Sequence, residues 1–198
     1  SGKTTTLIEG IKRLVKEFHY LSICIVAFNK HIANEFQKKL PDGLNIQAST
    51  KHSLGLKAIR KIYPRVKVET DKVSIILDDI YPVSKKAFDY GLIDKEERKN
   101  NFSKRSSMRK LVSLAKSTLV DVYDANAMMQ MIERYNIDIE DSFTNEIINK
   151  LPKIMDRCKE DVTTVDFDDM GWLCIVLNLK VEQYDVLLID EAQDMTKG

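Results

Sequence analysis

The chain has 198 residues, 43% of them apolar and 31% charged, and its 31 Lys+Arg are nearly balanced by 30 Asp+Glu. That composition supplies a sizeable core and excludes a disordered tract, while seven Gly and four Pro exclude collagen-like or linker-like sequence. The longest apolar runs, such as Leu21 to Phe28, fall far short of the roughly 20 residues a membrane span needs, and Cys24, Cys158 and Cys174 form no CxxC pair, so they read as reduced, buried thiols of a cytoplasmic or nuclear protein.

In chain order, Thr4 to Phe18 places Leu7, Ile8, Ile11, Leu14, Val15 and Phe18 at helical spacing, directly after Ser1-Gly2-Lys3. Leu21 to Phe28 is short, β-branched and apolar on both faces, the signature of a strand inside a parallel sheet. A helix over Lys30 to Leu40 follows, closed by Pro41-Asp42-Gly43; then come a second strand at Leu44 to Ala48 and a helix over His52 to Tyr63. From residue 64 to 164 the alternation stops. That segment reads as short helices with turns at Ile80-Tyr81-Pro82, Tyr90-Gly91 and Leu151-Pro152, a mostly helical insertion into an α/β domain formed by residues 1–63 and 165–198. Asp166, with Asp169 three residues later, offers an N-cap for a helix through Met170, Leu173 and Leu177, at which point the chain is expected back on the sheet. Tyr184 to Ile189 is an apolar strand ending in Asp190-Glu191, expected in the middle of a parallel sheet.

The near-zero net charge conceals asymmetry: +6 over residues 1–84 and +6 over 85–116, against −8 over 117–170 and −3 over 171–198. The densest basic stretch, Asn101 to Lys110, reads either as a phosphate-facing surface or as a solvated helix face paired with the acidic stretch that follows.

Ser1-Gly2-Lys3-Thr4 matches the last four positions of the phosphate-binding loop GxxxxGK[ST] and opens a helix, as that loop must. Backbone N–H groups at a helix start attract phosphates, Lys3 would neutralise their oxygens, and the Thr4 hydroxyl would ligate Mg²⁺. At the other end of the chain, Asp190 would hold the metal through water and Glu191 would orient and deprotonate the water attacking a γ-phosphate. The chain reads as an excerpt from a longer protein, because the first half of the loop and its preceding strand are not in it.

Asp190-Glu191-Ala192-Gln193-Asp194 resembles the DExQD motif of superfamily 1A helicases, the UvrD/Rep/PcrA family. Ala27-Phe28-Asn29-Lys30 looks like the family's motif Ia in its AFNK form, and Thr50-Lys51-His52-Ser53 is similar to motif Ib, with Lys51 where an aromatic is usual. Val165-Asp166-Phe167-Asp168-Asp169-Met170 matches the h-D-F-x-D-h segment that precedes DExQD in these enzymes. The resemblance covers residues 1 to about 63 and about 163 to 198, with the signatures in the family's order.

The resemblance implies a RecA-like domain 1A carrying a helical 1B-like insertion. It further implies ATP and Mg²⁺ at Gly2, Lys3, Thr4, Thr5 and Asp190, Glu191 as catalytic base, and Gln193 as a γ-phosphate sensor. Phe28, Asn29, Lys30, Thr50 and His52 would line a path for single-stranded DNA; read without the resemblance, Phe28 is equally a core residue, His52 a helix cap and Lys30 a solvated cation. The implied activity is an ATP-driven translocase or helicase acting on single-stranded DNA and single-strand/duplex junctions, completed by a second RecA-like domain in the parent chain. This excerpt alone would hydrolyse ATP barely or not at all. The alternatives are the motor of a RecB/AddA-like helicase-nuclease, or a nucleic-acid-binding module whose nucleotide site is degenerate.

Overall fold

In the computed structural model residues 2–192 are described, apart from the side chains of Lys3 and Thr4. The chain divides into two compact units whose described parts are residues 2–58 with 180–192, and residues 59–179.

The first unit is a three-stranded parallel sheet with helices. Helix α1 (Gly2–Glu17) leads through a turn closed by Leu21 N–H on Phe18 C=O into strand β1 (Ile23–Ala27). Helix α2 (Lys30–Lys39) and strand β2 (Ile46–Thr50) follow, then helix α3 (Lys51–Ile62), which runs on into the second unit. Strand order is β2-β1-β5, with β5 (Val186–Ile189) contributed from the far end of the chain. Every residue of β1 is buried, as its two-sided apolarity demands. Ile23, Ile25 and Ala27 join Ile8, Ile11 and Val15 of α1 and Ala33 and Phe36 of α2 in one core cluster. Full burial of the Ile, Val and Phe side chains among them is worth about 1.5–3 kcal/mol each. The turn after α2 needs φ = +76° at Gly43, a conformation that a Cβ would strain.

Strand β5 departs from expectation. Among the described residues it lies at the sheet edge, alternately half-buried and exposed, with Val186 and Leu188 packed on the core and Leu187 52% exposed on the other face. A continuous apolar run cannot by itself distinguish a central strand from one that has a single neighbour.

The second unit is mostly helical, as the loss of alternation after residue 64 implies, but its helices are longer than expected. It comprises β3 (Lys67–Val68), α4 (Lys72–Ile80), α5 (Lys85–Asp89), α6 (Lys95–Thr118), α7 (Ala125–Arg134), α8 (Asp141–Glu160), β4 (Thr164–Val165) and α9 (Phe167–Val176). Leu151-Pro152 is not a turn: both residues lie inside α8, where Ile147, Ile148, Leu151, Ile154 and Met155 form a buried stripe that carries the helix through its proline. Residues 164–176 do not rejoin the main sheet. β4 pairs instead with β3, Lys67 beside Thr164 and Val68 beside Val165, and α9 packs with α6 and α8. The two compact units divide along the chain at 58/59, within α3, and at 179/180.

Two buried lysines explain why α9 belongs there. Asp166 and Asp169 form a reciprocal capping box at the start of α9, and both carboxylates also face cations. Lys72 Nζ donates to Asp169 Oδ2 at 2.8 Å and to the carbonyls of Cys158, Asp161 and Thr164 at 2.8–2.9 Å. Lys116 Nζ donates to Asp166 Oδ2 at 2.7 Å and lies 2.8 Å from Asp169 Oδ1, an ion-pair approach off the hydrogen-bonding direction that leaves this oxygen without a hydrogen bond. Burial works against the Lys116 ammonium, but Cys158, Asp169 and Asp166 outweigh it and hold its pKa above the ordinary lysine range. Burial likewise pushes the Cys158 thiol up to about 11.

Candidate nucleotide and nucleic-acid site

In a parallel sheet the carboxyl ends of all strands lie on one edge, and ligands gather there. Register fixes which residues share that edge. Ala27 pairs with Thr50 on one side, Val26 pairs with Ile189 on the other, and Asp190 N–H donates to Val26 C=O at 2.9 Å. Thr50 and Asp190 therefore flank the end of β1, about 10 Å apart at the usual strand spacing. The residues that follow the strands emerge together: Phe28-Asn29-Lys30 after β1, Lys51-His52 after β2 and Glu191 after β5. Because α1 turns within five residues into the strand it covers, it runs back over β1, and its N-terminus at Gly2 comes to the same edge.

The expected residues that the structure describes have definite settings. Phe28 is 61% exposed, so it is not core. Asn29 is the N-cap of α2: its Oδ1 accepts from Ile32 N–H at 2.9 Å. Lys30 is exposed in the first turn of α2. Thr50 is buried, and its hydroxyl accepts from Ser53 N–H at 3.1 Å and lies 2.9 Å from the Ser53 hydroxyl, closing the first turn of α3. His52 is half-buried on that turn. Gly2 and Thr5 are exposed, and a Cβ built on Gly2 would meet nothing within 4 Å, leaving room beside this helix end. The side chains of Lys3 and Thr4, and the whole of Gln193, lie outside the described residues.

Glu191 carries a second signal. Its φ is +53°, the left-handed region that costs a side-chain-bearing residue about 1–2 kcal/mol. Such strain gathers at ligand sites, where the surrounding structure imposes it. Among the described residues no three His, Cys, Asp or Glu side chains come together as a metal cluster. The Asp190 carboxylate offers a hard oxygen donor, the type that suits Mg²⁺.

The basic stretch 101–110 is largely turned inward. Arg105 is buried and donates to Asp78 Oδ1 at 2.6 Å and to the carbonyls of Tyr81 and Ser74. Lys104 is paired with Glu146 at 2.6 Å and stands over the Phe143 ring, while Asn101 donates to Pro82 C=O. Only Arg109 and Lys110 remain exposed among its cations.

One set of residues around this sheet carries no motif: Ser22, Gln47, Lys57, Glu182, Tyr184 and Asp185. Asp185 Oδ2 accepts from Ser22 N–H at 2.8 Å and from its hydroxyl at 2.7 Å, while Asp185 N–H donates back to Ser22 Oγ at 3.0 Å. Those bonds from Ser22 hold the Asp185 carboxyl below the usual range. They also pin β5 to β1 at the end of the strand opposite Asp190. No sequence spacing marks them, because the partners are 163 residues apart.

The model of the family described as UvrD/REP helicase N-terminal domain matches residues 1–197. No curated protein matches the chain.

Proposed function

Since this chain belongs to the UvrD/REP helicase family, as its N-terminal domain, and is thereby a helicase motor domain, we propose that it binds ATP·Mg²⁺ and single-stranded DNA at the carboxyl edge of its parallel sheet. In that reading the sheet unit is a RecA-like domain 1A and the helical unit a 1B-like insertion, and the parent polypeptide supplies a second RecA-like domain. The parent is then an ATP-driven translocase that unwinds duplex DNA from single-strand/duplex junctions.

The observation that carries the reading is the shared edge itself: Thr50, Phe28-Asn29 and Asp190-Glu191 leave three neighbouring parallel strands side by side. The phosphates would lie at the N-terminus of α1, where free N–H groups and the helix dipole attract anions and Lys3 adds a full charge. ATP·Mg²⁺ supplies the phosphoryl group, and Thr4 and Asp190 would hold its cation. Glu191 would orient the attacking water and accept its proton, a role that contributes about 10²–10⁴ in rate. On the DNA side the exposed Phe28 ring offers a face for a base, and Lys30 and His52 offer charge and hydrogen bonds to phosphate oxygens.

Strand displacement by the parent polypeptide tests this. A tailed duplex should be separated with ATP and left intact with a non-hydrolysable analogue. ATP hydrolysis without strand separation on either tail polarity would leave a translocase, and the absence of both activities would count against the motor reading. No described helix is long and apolar enough to cross a membrane.

A further inference from the structure

The segment entering β5 is held to three different elements of the first unit. Asp185 clamps Ser22 at the start of β1. Gln47 Nε2, on β2, donates to the Tyr184 hydroxyl, so Tyr184 reaches across β1 at Cys24, which pairs with Gln47 on one side and Leu187 on the other. The Tyr184 hydroxyl in turn donates to Glu182 Oε2 at 2.7 Å, and Lys57 Nζ of α3 lies 2.5 Å from that same oxygen.

The last contact reaches the proposed DNA side. Helix α3 starts immediately after Thr50, and Lys57 lies six residues along it from Lys51, about 9 Å at the helical rise. A helix this short moves as one body, so a tether at Lys57 fixes where its first turn, Thr50 to Ser53, stands on the sheet. The tether contributes little to stability. The Lys57 and Glu182 side chains are 50% and 36% exposed, and solvent-exposed pairs add at most about 1 kcal/mol. What such a chain of directional contacts does supply is placement, of α3 on one side and of the β5 lead-in on the other.

We propose that Lys57, Glu182 and Tyr184 are positioning residues that seat α3 for the nucleic-acid strand and link strand engagement at Thr50–His52 to the Asp190–Glu191 end of β5. This rests on the functional reading above. A strand that pulls on the first turn of α3 loads the Lys57–Glu182 pair, and through Tyr184 and the Ser22–Asp185 clamp the load reaches the register that sets Asp190 beside Val26.

The test is a titration of ATP hydrolysis by the parent polypeptide with oligothymidine, comparing wild type with Lys57→Ala, Tyr184→Phe, Lys57→Arg and the exchange Lys57→Glu with Glu182→Lys. The oligonucleotide concentration giving half-maximal stimulation should rise about fivefold in Lys57→Ala and in Tyr184→Phe, the low end of typical coupling between sites. DNA-free hydrolysis, KM for ATP and thermal midpoint should not change, and Lys57→Arg and the charge exchange should recover most of the loss. Unchanged half-maximal concentrations in both single variants would overturn the proposal. So would a parallel fall in DNA-free hydrolysis, which marks a merely structural role. A responsive wild type with normal variants sinks this inference alone, whereas a wild type indifferent to DNA sinks the functional reading with it.

Discussion

The Asn29 carboxamide oxygen accepts the Ile32 backbone N–H at 2.9 Å, so a residue on the proposed DNA path is also the N-cap of α2. Alanine there removes both roles at once and should cost about 1 kcal/mol of stability. Serine keeps a capping oxygen and shortens the reach. Asn29→Ser is therefore expected to unfold in urea at nearly the wild-type midpoint, while binding a fluorescent single-stranded oligonucleotide about two- to tenfold more weakly, the worth of one hydrogen bond. Wild-type affinity in Asn29→Ser would remove Asn29 from the DNA path and leave it a cap.

Lys116 is almost wholly buried against Asp166 and Asp169, and Trp172 lies under its ammonium. Deleting one partner of such a group strands the others without water. Lys116→Met should lower the unfolding free energy by about 3–5 kcal/mol, read from urea denaturation. A loss under 1 kcal/mol would mean that the carboxylates find water or protons easily.

Arg105 and Lys110 should behave oppositely although both belong to the basic stretch. Arg105→Ala removes hydrogen bonds to Asp78, Tyr81 and Ser74 and is expected to cost about 2 kcal/mol or more of stability, with no change in the salt dependence of DNA binding. The exposed Lys110, if it meets a phosphate, would reduce the slope of log K against log salt by about 1 when changed to alanine. A shallower slope in Arg105→Ala with intact stability would contradict the inward placement.

The pH dependence has two edges with opposite signs. Asp161 and Glu146 resist the burial that would raise them: hydrogen bonds from Thr163 and Thr164, and from Lys104 and Lys150, hold both below their ordinary values. Their contribution is present above the unfolded carboxylate range of about 4 and is lost as pH falls through the lower folded values. Cys158 and Lys116 are raised, Cys158 to about 11. Their contribution is intact below the unfolded thiol value of about 8.5 and drains away as pH rises toward 11 and beyond. Urea midpoints measured from pH 3 to 11 should fall at both ends. Cys158→Ala should flatten the alkaline fall between about pH 8.5 and 11, and an unchanged fall would assign it to other groups.

What the sequence disclosed follows from how much each feature depends on local spacing. Strand β1 was legible because a short β-branched run, apolar on both faces, is stable only in a sheet covered on both sides. The cap of α9 was legible because Asp166 and Asp169 satisfy each other three residues apart. The carboxyl-edge residues were legible as motifs. The buried lysines were not, since Lys72 and Lys116 look in sequence like any solvated lysine, and their partners lie 97 and 50 residues away. The inward turn of Arg105 was hidden for the same reason, whereas the pairing of Lys104 with Glu146 follows one of the two readings of the basic stretch, a helix face paired with the acidic residues after it; Pro152 misled because a buried apolar stripe overrides the proline's preference to break a helix. The pairing of β5 with β1 and the tether from Lys57 to Tyr184 join distant segments, which periodicity does not encode.

The central claim is a DNA-responsive nucleotide motor at the carboxyl edge of the sheet, and ATP hydrolysis by the parent polypeptide with and without single-stranded DNA tests it most directly, in wild type, Lys3→Ala and Glu191→Gln. The expected result is hydrolysis that rises on adding DNA in wild type and falls at least about a hundredfold in both variants, the contribution of a positioned base or phosphate-binding cation. Salt-sensitive DNA binding with no hydrolysis in wild type, unaffected by either substitution, would contradict it and leave a nucleic-acid-binding module with a degenerate nucleotide site.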